Sequence, residues 1–195
     1  YHLMLIDENG SLWGWGNNGS GRLGIGDQFH RGLPVKVVDE NVTAVTVGEF
    51  HTHFIKADGS LWAMGDNNYG KLGIGSNFDQ TTPIKIIDDN VSAVSAGQHF
   101  TAFIYEDGSL WTIGRNDSGQ LGDGTNLDRS LPVKIVDSGV EAIEAGDSHL
   151  LYKTTNGALW GVGRNNQGQL GDGTTLDRNR SVQIVDSGVV DFASS

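Results

Sequence analysis

Short apolar runs separated by Gly, Asn, Asp and Ser fill this chain, and their pattern is that of strands. Val42-Thr-Ala-Val-Thr-Val47 is rich in β-branched residues but built from small ones. Thr52-His-Phe-Ile-Lys56 follows, then Asp58-Gly59, then Ser60-Leu-Trp-Ala-Met64, and last a run starting at Pro83. Asp-Gly between two such runs predicts a tight hairpin with both turn residues at positive φ. The same signal returns at Asn9-Gly10, Asp107-Gly108 and Asn156-Gly157.

The pattern has a period. Trp13, Trp62, Trp111 and Trp160 are each 49 residues apart, within the phrases NGSLWGWGNNGSGRLG, DGSLWAMGDNNYGKLG, DGSLWTIGRNDSGQLG and NGALWGVGRNNQGQLG. Repeats fall at about 1–41, 42–90, 91–139 and 140–188, with 189–195 a further first strand. Leu and Trp are neighbours in every copy, so they point to opposite sheet faces and both faces must be covered. Small residues in the first strand suit crowding near an axis. Pro34, Pro83 and Pro132 are expected to begin the fourth strand, whose central lysine blunts an exposed edge. Four antiparallel strands per unit, small inside and guarded outside, describe the blade of an all-β propeller. The chain opens at a second strand (His2–Ile6) and closes after a first (Val189–Ala193). It either closes as a four-bladed ring, its last strand completing the first blade, or forms part of a larger propeller.

Composition narrows function by exclusion. The formal charge is -11, from 24 acidic and 13 scattered basic residues, which argues against nucleic acid as a partner. No apolar run is long enough for a bilayer helix, so no membrane insertion is expected. Cysteine is absent, which removes thiolate chemistry. The first residue is Tyr1, which suggests a processed or excised piece.

Several motifs imitate chemistry. Gly19-Ser-Gly-Arg-Leu-Gly24 matches a dinucleotide fingerprint, but it lies in a repeat loop instead of opening a helix. His2, His51 and His149 share one repeat position, where a bond to the next blade explains them better than a metal does. The pairs Asp123/Asp128 and Asp172/Asp177 lack the alternating acidic ligands of calcium loops and read as turn caps. Asp147-Ser148-His149 is too contiguous for a catalytic triad. We therefore expect no catalytic residues, no metal and no cofactor.

Function should lie where the copies differ. The loop after the first strand reads Glu49-Phe50, Gln98-His99 and Asp147-Ser148, varying in charge and size on a fixed frame. Those six residues are the expected partner-binding positions. The aromatic residues that could mass on one rim are Phe50, Tyr69, Phe29 and Phe78.

The series Val94-Ser-Ala-Gly97, Asp58-Gly-Ser-Leu-Trp62, Gly65 to Gly75 with its Leu72-Gly73, and Pro34-Val-Lys-Val37 resembles the repeat of the regulator of chromosome condensation family. The resemblance covers essentially the whole chain. It implies a seven-bladed propeller, of which this chain would be a slice. It also implies a protein partner, which makes a non-enzymatic interaction module the leading reading. The resemblance suggests guanine-nucleotide exchange on a small GTPase as an alternative, although the evenly spaced copies leave no room for a protruding wedge. A secreted inhibitor of an enzyme is another. Light sensing, as in a related plant photoreceptor, would need tryptophan where Phe50, His99 and Ser148 stand. Bacterial proteins resembling this repeat are often extracellular, which gives a lean towards that location.

Overall fold

The computed structural model describes residues 2–194, and it is an open arc of four blades. The first blade holds β1 (His2–Ile6), β2 (Leu12–Gly16) and β3 (Arg31–Val38). The second holds β4 (Val42–Val47), β5 (His51–Lys56), β6 (Leu61–Gly65) and β7 (Gln80–Ile87). The third follows as β8 (Val91–Ala96), β9 (Phe100–Tyr105), β10 (Leu110–Gly114) and β11 (Arg129–Val136). The fourth is β12 (Val140–Ala145), β13 (His149–Thr154), β14 (Leu159–Gly163) and β15 (Arg178–Val185). Each sheet is an antiparallel meander, three-stranded in the first blade and four-stranded in the rest.

The cores lie between blades. Leu12 of the first blade meets Val42, Phe54 and Met64 of the second, with Trp62 packed against them. Ile55 and Leu61 of the second meet Val91 and Phe103 of the third, beside Trp111. The third and fourth join through Phe100, Leu110, Leu150 and Tyr152, with Trp160 alongside. So Leu12, Leu61 and Leu110 face the next blade, and Trp62, Trp111 and Trp160 the preceding one. Among the described residues no blade packs on the Trp13 side of the first sheet, where Leu3 and Leu5 are exposed.

Polar seams tie the blades along both rims. On the hairpin side, Val42, Val91 and Val140 donate their amides to Gly10, Gly59 and Gly108 at 2.9–3.0 Å. On the other side, Gly26, Gly75 and Gly124 donate to Thr81, Ser130 and Asn179 at 2.8 Å. Near the axis, the Thr46 and Ser95 hydroxyls each accept an amide from the next inner strand, from Ala96 and Ala145, at 3.0 Å.

Four expectations need correction. The hairpins put only glycine at positive φ (Gly10 at 75°, Gly59 at 75°), with a type I turn and a bulge in place of the two-residue mirror turn. The outer strands begin at Arg31, Gln80 and Arg129, three residues before the prolines. Each proline sits at a register shift on an edge strand, where its missing N–H costs no ladder bond. The outer lysines do more than guard an edge: Lys36, Lys85 and Lys134 stand 5.2, 5.8 and 5.9 Å from the Trp13, Trp62 and Trp111 ring centroids. Finally, 189–195 forms no further first strand, and the four-bladed ring is not closed. Val189 makes its seam bond to Gly157 and the Val190 carbonyl accepts from Lys153 Nζ at 2.9 Å, but residues 190–194 join no strand ladder, and Ser195 lies outside the described residues. The other inner strands are held by the strand that follows them, as β4 is by β5. Among the described residues no strand pairs with 189–194, and β1 pairs only with β2.

Candidate interaction face at the axis

The loops after β4, β8 and β12 come together at one end of the inner strands. They surround a cleft of about 420 Å³ lined by Glu49, Gln98 and Asp147, the ends of the inner strands and the glycines between. Those glycines are dictated by space. A side chain on Gly48 would strike the His51 ring and come within 2.6 Å of the Gly97 oxygen. On Gly97 it would strike Phe100 and reach within 2.5 Å of the Gly146 oxygen. The Gln98 amide donates to the Asp147 carbonyl at 3.2 Å, fastening two of the loops directly.

Phe50 and His99 stack across the junction of the second and third blades, 5.9 Å between centroids and 12° between planes. The stack continues outward on both sides. Arg22 covers Phe50 at 4.7 Å, Tyr69 leans on His99 at 5.5 Å, and Arg115 covers Tyr69 at 5.2 Å. Tyr69 is half-exposed and holds a φ of 68°, a left-handed conformation costly for a residue with a side chain. Arg22 is buried, with Nη1 on the Glu49 carbonyl at 3.1 Å. Sequence reasoning missed Arg22 and Arg115, because the contacts that recruit them run between blades. Ser148 sits in the third loop without joining the stack and lines a neighbouring pocket with Arg164.

The histidines beneath these loops are structural. His2 Nε2 meets the Thr52 hydroxyl at 2.8 Å, and His51 Nε2 meets Thr101 at 3.0 Å, each bridging one blade to the next. Burial holds His2 down at about 4 and His53 at about 3, and it pushes His51 well below the ordinary range, helped by His53. Lys71 is buried against Asp66, and desolvation lowers it despite that partner.

The aspartates read as turn caps act as such. Asp123 Oδ1 accepts from the Thr125 amide and hydroxyl at 2.9 and 2.7 Å, while Oδ2 takes Arg129 Nε at 2.7 Å. Asp172 repeats the arrangement with Thr174 and Arg178. These bonds consume the carboxylates and lower both pKa values. Among the described residues, no three His, Asp or Glu side chains are arranged to hold a metal. Among the same residues, no helix is long and apolar enough to cross a membrane.

The two faces of the arc differ in character. Every arginine lies on the loop face or within the first three residues of the outer strand leaving it. Phe29, Phe78, Leu127 and Leu176, spaced 49 residues apart, project from its rim with 63–78% of their surface exposed. The hairpin face instead gathers acidic turns such as Asp7-Glu8, Asp39-Glu40 and Asp88-Asp89, and all the lysines except Lys71 lie towards it.

The chain is similar in fold to several solved propellers. Human WBSCR16 superposes with a TM-score of 0.88 at 23% identity, over 99% of this chain and 53% of that one. Prp20p from Saccharomyces cerevisiae, in a structure described with its binding to Gsp1p and histones, gives 0.82 at 22% identity, over 95% and 48%. The ectodomain of the receptor kinase CR4 from Physcomitrella patens gives 0.57 at 16%, over 99% and 44%. This chain therefore spans about half the length of the structures it matches. No curated protein sequence matches it. The regulator of chromosome condensation (RCC1) repeat matches residues 9–55, 58–104 and 107–152, and a second description of that repeat matches 42–71, 91–120 and 140–169. With most of its length accounted for by that repeat, on the blades it predicts, the chain belongs to the regulator of chromosome condensation repeat family, whose propeller is a protein-interaction fold.

Proposed function

We propose that this chain is a non-enzymatic protein-interaction module that binds a protein partner through the loop face around its axis. Glu49, Phe50, Gln98, His99, Asp147 and Ser148 form the centre of that surface. The division of side chains between the two faces supports this best. Arginine and aromatic residues are the groups that anchor interfaces, whereas lysine is depleted from them. The loop face and the strand starts leaving it hold every arginine and the exposed rim aromatics, and every lysine except Lys71 lies towards the hairpin face. Tyr69 is a further reason, since a ring kept at positive φ and half in solvent serves packing poorly.

The immobilised chain should capture a partner from its source, and a loop variant (E49A, F50A, Q98A, D147A) should lose it. A hairpin-face variant (D39N, D88N, D137N) should retain it. Capture that survives the first set and fails with the second would place binding on the other face.

Exchange on a small GTPase is a second reading, favoured by the fold shared with Prp20p, whose structure is described with Gsp1p binding. Release of a fluorescent nucleotide from small GTPases, accelerated by this chain, would establish it. A secreted inhibitor would use the same loop face and would appear as captured enzyme losing activity.

A further inference from the structure

The axial cleft stands out by its charge. Elsewhere on the loop face, carboxylates are already engaged. Asp27, Asp117, Asp123 and Asp172 each hold an arginine at 2.5–2.6 Å, and Asp66 holds Lys71. Asp79, Asp128 and Asp177 accept the Asn67, Asn116 and Asn165 amides at 2.7–2.8 Å. Glu49 and Asp147, which line the cleft, are the exceptions. Glu49 has the His99 ring at 3.9 Å, whose pKa burial lowers, and the Arg22 guanidinium beneath its loop, while Asp147 joins no ion pair among the described residues. No lysine or arginine lines the cleft, and His2 at its edge is neutral near pH 7.

The walls add to the same field. The close approach demanded by Gly48 and Gly97 places the Gly97 and Gly146 carbonyl oxygens between neighbouring inner strands. Directly behind Gly48 lies the ring of His51, a fully buried side chain whose Nδ1 has no hydrogen-bond partner. Two carboxylates in a concave site with low-dielectric walls focus a negative potential, which Arg22 offsets only from beneath the Glu49 loop and not from within the cleft.

We propose that this cleft receives a cationic side chain, lysine or arginine, from a protein partner, held between Glu49 and Asp147 beside the Phe50–His99 stack. The proposal rests on the loop-face reading above and adds the partner's chemistry. On the hairpin face, by contrast, Lys36, Lys85 and Lys134 already stand 2.9–3.9 Å from Asp39, Asp88 and Asp137.

The test is an NMR titration of the whole, nitrogen-15-labelled chain with three capped heptapeptides: six glycines around a central Arg, Glu or Leu. The Arg peptide should shift the Gly48, Gln98 and Gly146 amides saturably and leave the hairpin amides of Gly10, Gly59 and Gly108 in place. E49Q/D147N should weaken its binding by about tenfold or more while the urea midpoint holds. Equal shifts from the Glu or Leu peptide at those axial amides would overturn the cationic preference and leave the loop-face reading standing. Arg-peptide shifts confined to the hairpin amides, or no shifts at all with the Arg peptide, would overturn the proposal. Capture by the loop variant described above then decides the loop-face reading separately.

Discussion

Phe50 and His99 occupy the same position in consecutive repeats, 49 residues apart, yet their rings lie face to face with 12° between their planes. Blade rotation brings equivalent loop residues into contact at the axis, so variation between repeats becomes variation within one contiguous surface. The pair should show a coupling of about 0.5–1.5 kcal/mol in a double-mutant cycle of F50A and H99A. Urea denaturation measures it. Additive effects would mean that the rings share a face without sharing energy.

The four repeated tryptophans should differ in cost. Trp62 is packed into the core between the first and second blades, so W62A should cost about 3 kcal/mol or more. Trp13 keeps a bond from Nε1 to Asp7 at 2.9 Å and the Lys36 contact, but no blade among the described residues packs on it. W13A should cost about 1 kcal/mol. Equal losses in thermal or urea unfolding would contradict the placement of the cores.

Acid should weaken the fold through its histidines. His53 titrates at about 3 and His2 at about 4 when folded, against 6.5 for the free side chain. Below pH 6.5 the unfolded chain binds protons that the folded chain refuses, so this stability is complete above that pH and lost as pH falls. Each such histidine contributes a slope of about 1.4 kcal/mol per pH unit until its folded value is reached. Urea midpoints at pH 7.5, 6 and 5 should therefore fall in order, and H53Q should flatten the decline. A midpoint constant down to pH 5 would mean that these imidazoles accept protons in place.

Much of the fold was legible because its period is written in large residues. Trp and Leu mark the third strand of each blade, glycine marks each tight turn, and small residues mark the inner strands. Details that depend on a partner strand were not legible. Val189 starts like Val42, Val91 and Val140, yet a strand exists only when another pairs with it. The outer strands reach past their prolines because a bulge, invisible in the residue pattern, absorbs them. For the candidate site, the six loop residues could be picked by their variability. Arg22 could not, because nothing in its repeat signals that it is buried beneath Phe50 with a guanidinium on the Glu49 carbonyl.

Thr101 serves two imidazoles at once, His51 at 3.0 Å and His53 at 3.4 Å. T101V keeps the shape and removes the hydroxyl, leaving buried ring nitrogens unmatched. It should lower stability by about 1–3 kcal/mol, whereas T101S should restore most of it. If T101V matches the parent in urea denaturation, the Thr101 hydroxyl adds nothing to the link between these blades.

Because each hydrophobic core straddles two blades, no single repeat possesses one of its own. Duplication of a 49-residue unit within such an array therefore adds one complete core whatever the number already present, so the chain can lengthen stepwise without redesign. Excision of an internal unit is equally mild if its neighbours can take up each other's faces, as the recurring Leu and Trp allow. Blade number thus becomes an evolutionary variable nearly independent of the sequence within a blade, limited in the end by the curvature that brings first and last together.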